Sequence, residues 1–302
     1  MILASIDIGS NGVRLQIVRT ILDDDITSFK KLEYIRFPLR LGKTVFDKGK
    51  ITAPVQEKFV KLMSTFKLMM DLYEVEDYVA TATSAMREAK NGKELIQKVK
   101  EETGVEIKII SGIKEAEILS KAIVPYVDES THVHIDVGGG STEINIYVNK
   151  IRIKGKSFKI GTVRVLKGKD KKEVTKEMLQ WAKKATQEVL MPITCIGTGG
   201  NIKKLFSMSK NSPDAGMTKA ELRGLKGYLS EFKYEERVNL LKLNPDRADV
   251  ILPAADIFIK IMKAIKANTI RVPNVGLKDG LLYDLYEDIK EEKMTVVEFL
   301  DM

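Results

Sequence analysis

Two acidic residues stand just ahead of glycine-rich turns. Asp7 precedes Gly9-Ser10-Asn11-Gly12, and Asp136 precedes Gly138-Gly139-Gly140-Ser141, with Glu143 close behind. A third cluster, Gly197-Thr198-Gly199-Gly200, follows an apolar run from Ile193 to Ile196. Backbone N–H groups in a tight turn converge on an anion, and glycine lets phosphate oxygens approach the main chain with no Cβ in the way. An acid at the end of the preceding strand can hold Mg2+ or order a water beside the phosphate. Together these residues imply a phosphate chain gripped from both sides, by Gly9, Ser10 and Asn11 and by Gly138, Gly139, Gly140 and Ser141, with Gly199 and Gly200 close by. The competing reading is a pair of ordinary hairpins whose glycines and aspartates serve only the turns. Recurrence of the pattern, with a third cluster beside it, weighs against that.

The elements that must position these turns follow from periodicity. Ile2 to Ile8 and Val13 to Val18 read as two strands of a hairpin around Gly9 to Gly12. Helical spacing runs from Ile51 to Tyr73, a strand from Tyr78 to Ala82, and a helix from Lys93 to Thr103 closed by Gly104. A strand from Glu106 to Ile110 and a helix from Ile113 to Val124 follow. After a polar break at Pro125 to Ser130, Ile135-Asp136-Val137-Gly138 repeats Ile6-Asp7-Ile8-Gly9 almost letter for letter and leads into a new alternation, Ile144 to Val148. The matching context predicts two halves built on one plan. Beyond it the pattern predicts helices at Lys172 to Val189, Thr218 to Phe232 and Asp246 to Ala267, a strand at Ile193 to Ile196, and a helical tail from Gly276.

Bulk composition is compatible with that plan. A chain of 302 residues exceeds the usual size of one hydrophobic core, so two domains are expected, 1–125 and 126–302, with the terminal helix free to pack back on the first. A net charge of +8 favours anionic partners without choosing among them. One cysteine, Cys195, excludes an internal disulfide, and with only His132 and His134 a Cys/His zinc site has too few ligands. The apolar runs are too short to span a membrane, and a cytoplasmic location is expected.

The residues carry a resemblance to the exopolyphosphatase/guanosine pentaphosphate phosphohydrolase (Ppx/GppA) family of the actin-like ATPase superfamily. It rests on Asp7 to Asn11 with Arg14, on Thr83 to Ala89, on Ser111-Gly112 with Glu115-Ala116, and on Asp136 to Glu143. It continues through Gly161 to Arg164, Gly197 to Gly200 and Gly276 to Leu282. The resemblance implies an α/β chain of two ribonuclease H-like domains, mixed sheets flanked by helices, facing a cleft in which terminal phosphoanhydrides are hydrolysed by a Mg2+-assisted water. Within it Glu115 matches the general base, Glu143 a second acid that orients water or metal, Asp136 a Mg2+ ligand with Asp7 beside it, and Arg87, Arg14 and Arg164 basic positions near the cleft. From spacing alone, Glu115 reads first as a helix N-terminal acid favoured by the macrodipole, and the resemblance reverses that.

This chain departs from the family pattern in four places. Gly12 replaces a serine, Lys114 an acid beside Glu115, and Lys278 an arginine, while the C-terminal His-Asp helical domain of longer members has no counterpart in these residues. Between Asn149 and Glu173 lie ten lysines and arginines against one acid, Asp170. On a strand, Lys150, Arg152, Lys154 and Lys156 would share one face, able either to guide a polyanion or to protect a sheet edge. The partners expected are inorganic polyphosphate or guanosine pentaphosphate, with no nucleic acid and no membrane, and with a homodimer allowed. An ATP-dependent kinase or ATPase and a non-catalytic polyphosphate or alarmone sensor are the rival functions.

Overall fold

Both halves start from the same device, an apolar strand turned back on itself by a glycine-containing loop. The computed structural model describes residues 1–23, 26–169, 172–189, 192–209, 211–212 and 215–300. The first half contains β1 (Ile2–Ile8), β2 (Val13–Asp23), β3 (Ile26–Phe37), α1 (Leu41–Lys48), α2 (Ala53–Leu72), β4 (Asp77–Ala82), α3 (Ser84–Glu88), α4 (Gly92–Thr103), β5 (Lys108–Ile109) and α5 (Gly112–Ile123). The second begins with β6 (Thr131–Val137), β7 (Thr142–Val148), β8 (Ile151–Phe158), α6 (Thr162–Leu166), α7 (Lys172–Ala185), β9 (Ile193–Thr198) and α8 (Gly200–Ser209). It ends with β10 (Met217–Thr218), α9 (Lys219–Ser230), α10 (Tyr234–Asn239), α11 (Pro245–Ala248), α12 (Ile251–Ala264), β11 (Thr269–Arg271) and α13 (Leu277–Leu300).

The strand orders are β3-β2-β1-β4-β5 and, read from the other edge, β8-β7-β6-β9-β11-β10. In each sheet the first strand is antiparallel to the second and parallel to the fourth in order, so the plan is used twice. Register repeats as well. Asp7 faces Arg14 across the hairpin and Thr81 across the parallel pair, and Asp136 faces Glu143 and Thr198 in the same places. This is the mixed-sheet α/β arrangement that the sequence predicts.

Each sheet buries its own apolar layer. Phe59, Met63 and Phe66 of α2 cover Ile6 and Leu15, while Phe258 and Ile261 of α12 cover Ile135 and Ile144. Val163 and Val250 cross over, for both belong to the core of the first half. The last helix lies on the other face of the first sheet, where Leu282 meets Leu3 and Val18. Gly280 makes that seat close, since a Cβ there would stand 2.1 Å from the Ile118 carbonyl oxygen.

Several elements differ from their sequence outline. The helix expected from Asp246 to Ala267 is two, α11 and α12, broken at Asp249 and Val250. A continuous helix would put Pro253 in its interior, whereas the break leaves it in the first turn of α12, where its missing N–H costs no hydrogen bond. The strand expected from Glu106 to Ile110 shortens to two residues, and the helix expected to reach Val189 ends at Ala185. The row of cations on β8 does not share one face. A bulge pairs Ile146 with Lys154 but Tyr147 with Arg152, so Arg152 turns to the face opposite Lys154 and Lys156, and Lys150 lies in the preceding turn at φ 63°. β8 is nonetheless a sheet edge, the place where lysine discourages pairing. Asp170 and Lys171 of the basic stretch lie outside the described residues. No helix among the described residues is long and apolar enough to cross a membrane.

Candidate functional site

The two glycine turns close identically. Gly9 N–H donates to the Gly12 carbonyl at 3.1 Å, and Gly138 N–H to the Ser141 carbonyl at 3.0 Å. They also meet, for a Cβ at position 139 would stand 2.9 Å from Ser10 Cβ and 3.4 Å from the Asn11 nitrogen. Around them opens a cavity of about 730 Å3 whose wall includes Asp7, Gly9, Ser10, Asn11, Arg14, Glu115, Asp136, Gly138, Gly139, Ser141, Gly199 and Gly200. Gly199 sits at φ 101°, and a side chain there would come within 3.3 Å of Asp136 Oδ1, so this turn needs glycine on both counts. Gly140 is not on the wall. It is wedged between Phe46 and the Ser84 and Ser10 hydroxyls, packing rather than facing the cavity.

Glu115 reaches the cleft through two local features. Ser111 Oγ accepts from the Lys114 N–H at 3.1 Å and starts α5, and Gly112 brings that helix end against Ser157, whose Oγ a Cβ would crowd at 2.7 Å. Ser157 in turn donates to Glu143 Oε1 at 2.7 Å, so one contact of α5 with β8 sets both acids. Glu115 is 8% exposed on the wall, and Glu143 is fully buried beneath it. The second carboxylate oxygen of each, Oε2, is buried without a hydrogen-bond partner. Burial, then the charges of Glu143 and Asp136, holds the Glu115 carboxyl well above its usual range. Burial and the charge of Asp136 push Glu143 up to about 7, against the opposing hydrogen bonds of Ser157 and Ser141. Asp136 is raised mainly by burial, although Thr198 donates to its Oδ1 at 2.5 Å.

These raised carboxyls give the ion-free protein a defined pH response. A carboxyl whose folded pKa lies above its unfolded value of about 4.3 contributes stability that is complete below that value and lost as pH rises through the folded pKa. With Glu143 at about 7, the chain in EDTA is expected to lose on the order of 2 kcal/mol of unfolding free energy between pH 5 and pH 8. In Glu143→Gln that loss shrinks. Denaturant melts across this window check it, and a gain in stability on alkalinisation would contradict the burial of these acids as a group.

The cations divide by what they touch. Arg14 donates to Asp7 Oδ2 at 2.5 Å, matching that charge within the hairpin. Burial opposes the Arg14 charge, but Asp7 offsets it and the guanidinium is raised overall. Arg87 donates to the Ile110 carbonyl and sets its charge near Glu115 and Glu143 without lining the wall. Arg164 is a strut rather than a cleft residue. It donates to the Gly140 carbonyl and to Glu88, both at 2.9 Å, and lies 4.1 Å over the Phe46 ring.

Lys203, Arg36 and Arg247 line the cleft and were not picked out from sequence. Lys203 had a readable signal, a lysine one turn into the helix that opens at Gly200. Burial, with Lys278 nearby, pushes it down to about 8. Arg36 and Arg247 arrive through pairings distant in sequence, and no local pattern marks them.

The departures from the family pattern also find their places. The space that a side chain at Gly12 would fill is taken by the Arg36 guanidinium, 3.2–3.3 Å from a built Cβ. Lys114 turns to α13, where its Nζ is 3.4 Å from Asp284. Lys278 is held by both oxygens of Asp279, at 2.7 and 2.6 Å.

Oxygen donors thus stand between the two like sheets of this α/β chain, with paired glycine turns in contact at the cleft. The model of the Ppx/GppA phosphatase family matches residues 20–288, and the chain belongs to that family. It is 24% identical over 303 residues to Exopolyphosphatase 1 of Mycobacterium leprae, covering 93% of this chain and 88% of that one. To the guanosine-5'-triphosphate,3'-diphosphate pyrophosphatase of Aliivibrio fischeri it is 23% identical, covering 96% of this chain but only 60% of that longer protein. The crystal structure of the Aquifex aeolicus Ppx/GppA family member superposes with a TM-score of 0.74 at 28% identity, over 96% of this chain and 98% of that one.

Proposed function

We propose that this protein is a Mg2+-dependent hydrolase of terminal phosphoanhydride bonds, acting on inorganic polyphosphate. The observation that carries it is the pair of buried, unpartnered Oε2 atoms of Glu115 and Glu143 beside the junction of two glycine turns. Buried polar atoms are rarely left unpaired, and hard oxygen donors of this kind suit a water and a small divalent cation. Among the described residues no three Asp, Glu, His or Cys groups gather closely enough to enclose an ion alone. That suits Mg2+, which keeps its waters and takes one or two carboxylates plus substrate oxygens. Asp136 and Glu143 are the residues that would hold it. Asp7, engaged by Arg14, would act through that arginine. The ion supplies charge neutralisation and a more acidic water.

In the reading proposed here the residues have separate tasks. The amides of Ser10, Asn11, Gly139 and Ser141 orient the terminal phosphate, on turns that the Gly9 and Gly138 N–H groups close, with Gly199 and Gly200 beside them. Arg14, Lys203 and Arg247 balance its charge, and Arg87 offsets the negative charge around the acids. Glu115 takes the proton of the attacking water, and its raised pKa makes it a stronger base than an ordinary carboxylate. Guanosine pentaphosphate is the second substrate reading. Tyr34 favours it, since this ring is 38% exposed on the cleft wall beside Arg36 and could stack on a base. A cytoplasmic location accords with the single, buried Cys195.

Phosphate release measured in parallel from long-chain polyphosphate, guanosine pentaphosphate and ATP, with and without EDTA, tests this. Release from polyphosphate that stops in EDTA is expected. Turnover of ATP alone would favour the kinase or ATPase reading, and tight polyphosphate binding with no release would favour a sensor.

A further inference from the structure

A file of buried polar side chains runs behind Asp136 without entering the cleft. Arg152 Nε donates to Asn145 Oδ1 at 2.9 Å, and Asn145 Nδ2 lies 3.2 Å from His134 Nδ1. His134 Nε2 lies 2.9 Å from Thr198 Oγ1, and Thr198 Oγ1 lies 2.5 Å from Asp136 Oδ1. His134, Asn145 and Thr198 are fully buried. The donor directions follow from the ends. Arg152 has no acceptor, so the asparagine carbonyl must face it and the amide N–H must point to His134. Nδ1 then accepts, Nε2 carries the proton and donates to Thr198, and the threonine hydroxyl has only Asp136 left to receive its own proton. An Nδ1 that accepts carries no proton, so the imidazole is neutral and one tautomer is consistent with the whole file.

The duplicated first half acts as an internal control. The residues matching His134, Asn145 and Thr198 around Asp7 are Ser5, Gln16 and Thr81. Ser5 donates to the Lys278 carbonyl, Gln16 donates to Asp279, and Thr81 Oγ1 has no hydrogen-bond partner. The same backbone plan therefore does not require such a file, and none runs to Asp7. Gly155 makes room for it in the second half, because a Cβ there would stand 2.1 Å from an Arg152 guanidinium nitrogen. The bulge in β8 is what turns Arg152 to this face.

We propose that Arg152, Asn145, His134 and Thr198 form a one-way hydrogen-bond relay that fixes Asp136 through Oδ1 and reserves Oδ2 for the cation and water of the cleft. His134 and Asn145 are thereby positioning residues for the hydrolysis proposed above, on which this inference rests. Outer-sphere hydrogen bonds of this kind orient a ligating carboxylate and tune its affinity for metal.

The test is Asn145→Asp, which keeps the shape and reverses the relay. A carboxylate at 145 accepts from Arg152 and from His134, so the imidazole proton moves to Nδ1. Thr198 then donates to Nε2 instead of Asp136. Two-bond 1H–15N spectra report the tautomer directly, and the chain has only His132 and His134 to resolve. The wild type is expected to carry its His134 proton on Nε2 and the variant on Nδ1. Calorimetric Mn2+ affinity, measured without substrate, should fall about 10- to 100-fold in the variant, and kcat should fall with little change in KM.

If the new carboxylate prevents folding, Thr198→Val should reproduce both losses and Thr198→Ser should restore them. A wild-type Nδ1 proton, or unchanged Mn2+ affinity and kcat in both Asn145→Asp and Thr198→Val, would overturn the relay. If the wild type binds no Mn2+, the ion reading itself fails, and the relay then stands or falls on kcat in the threonine pair.

Discussion

Glu115→Gln should reduce phosphate release from polyphosphate by about 10^2- to 10^4-fold, the usual contribution of a positioned general base, while polyphosphate still binds. The substitution keeps the size of the side chain and its place on α5, held by the Ser111 cap and the seat of Gly112 on Ser157. It removes the capacity to take a proton. The proposed phosphate cradle is made of main-chain amides on other elements and is left intact, so KM should move little while kcat collapses. Parallel steady-state kinetics and equilibrium binding to the variant separate these outcomes. Undiminished turnover would remove Glu115 as the base. A loss of binding as large as the loss of rate would recast it as a substrate-holding group.

Arg36→Ala should cost about 3 kcal/mol of stability, the scale expected when one member of a buried ion pair is deleted. Arg36 of β3 bonds Asp246 of α11, with side chains 15% and 7% exposed, and the link joins the two halves. A second pair, Arg40 with Asp249 at 2.5 Å, lies alongside, and Asn11 Nδ2 donates to the Asp246 carbonyl at 2.9 Å. Removing the guanidinium leaves the Asp246 carboxylate with little water and without its ion-pair partner. A double change to apolar residues, Arg36→Met with Asp246→Leu, should recover much of the loss, because the desolvation of both charges is relieved together. Thermal melts of the two variants decide this. A single variant as stable as the wild type would mean that this ion pair does not hold the halves together.

The parts of this structure that could be read from sequence are those written in local patterns. The twin hairpins were legible because acid, glycine and strand alternation recur together at Asp7 and Asp136, and the helix at α5 because its apolar spacing and Ser111 cap are local. Helix α1 escaped because its eight residues are too few to establish a period. The long helix from Asp246 was overread because Pro253 was not weighed as a breaker. The face of Arg152 was misassigned because a bulge depends on the partner strand and leaves no mark in its own alternation. Arg36 pairs with Asp246, 210 residues away, and Arg247 donates to the Gly200 carbonyl, 47 residues away, separations that no short window along the chain can contain. The carboxylates were named by type, but their shared burial, and hence their raised pKa values, is a property of packing alone.

Gly139 lies against Ser10, with Phe46 and Ser84 filling the space behind Gly140. That side of the cleft is therefore closed by packed side chains, like the bottom of a socket. In the function proposed above, a polymer would meet this closed side tip first and would be shortened one unit at a time.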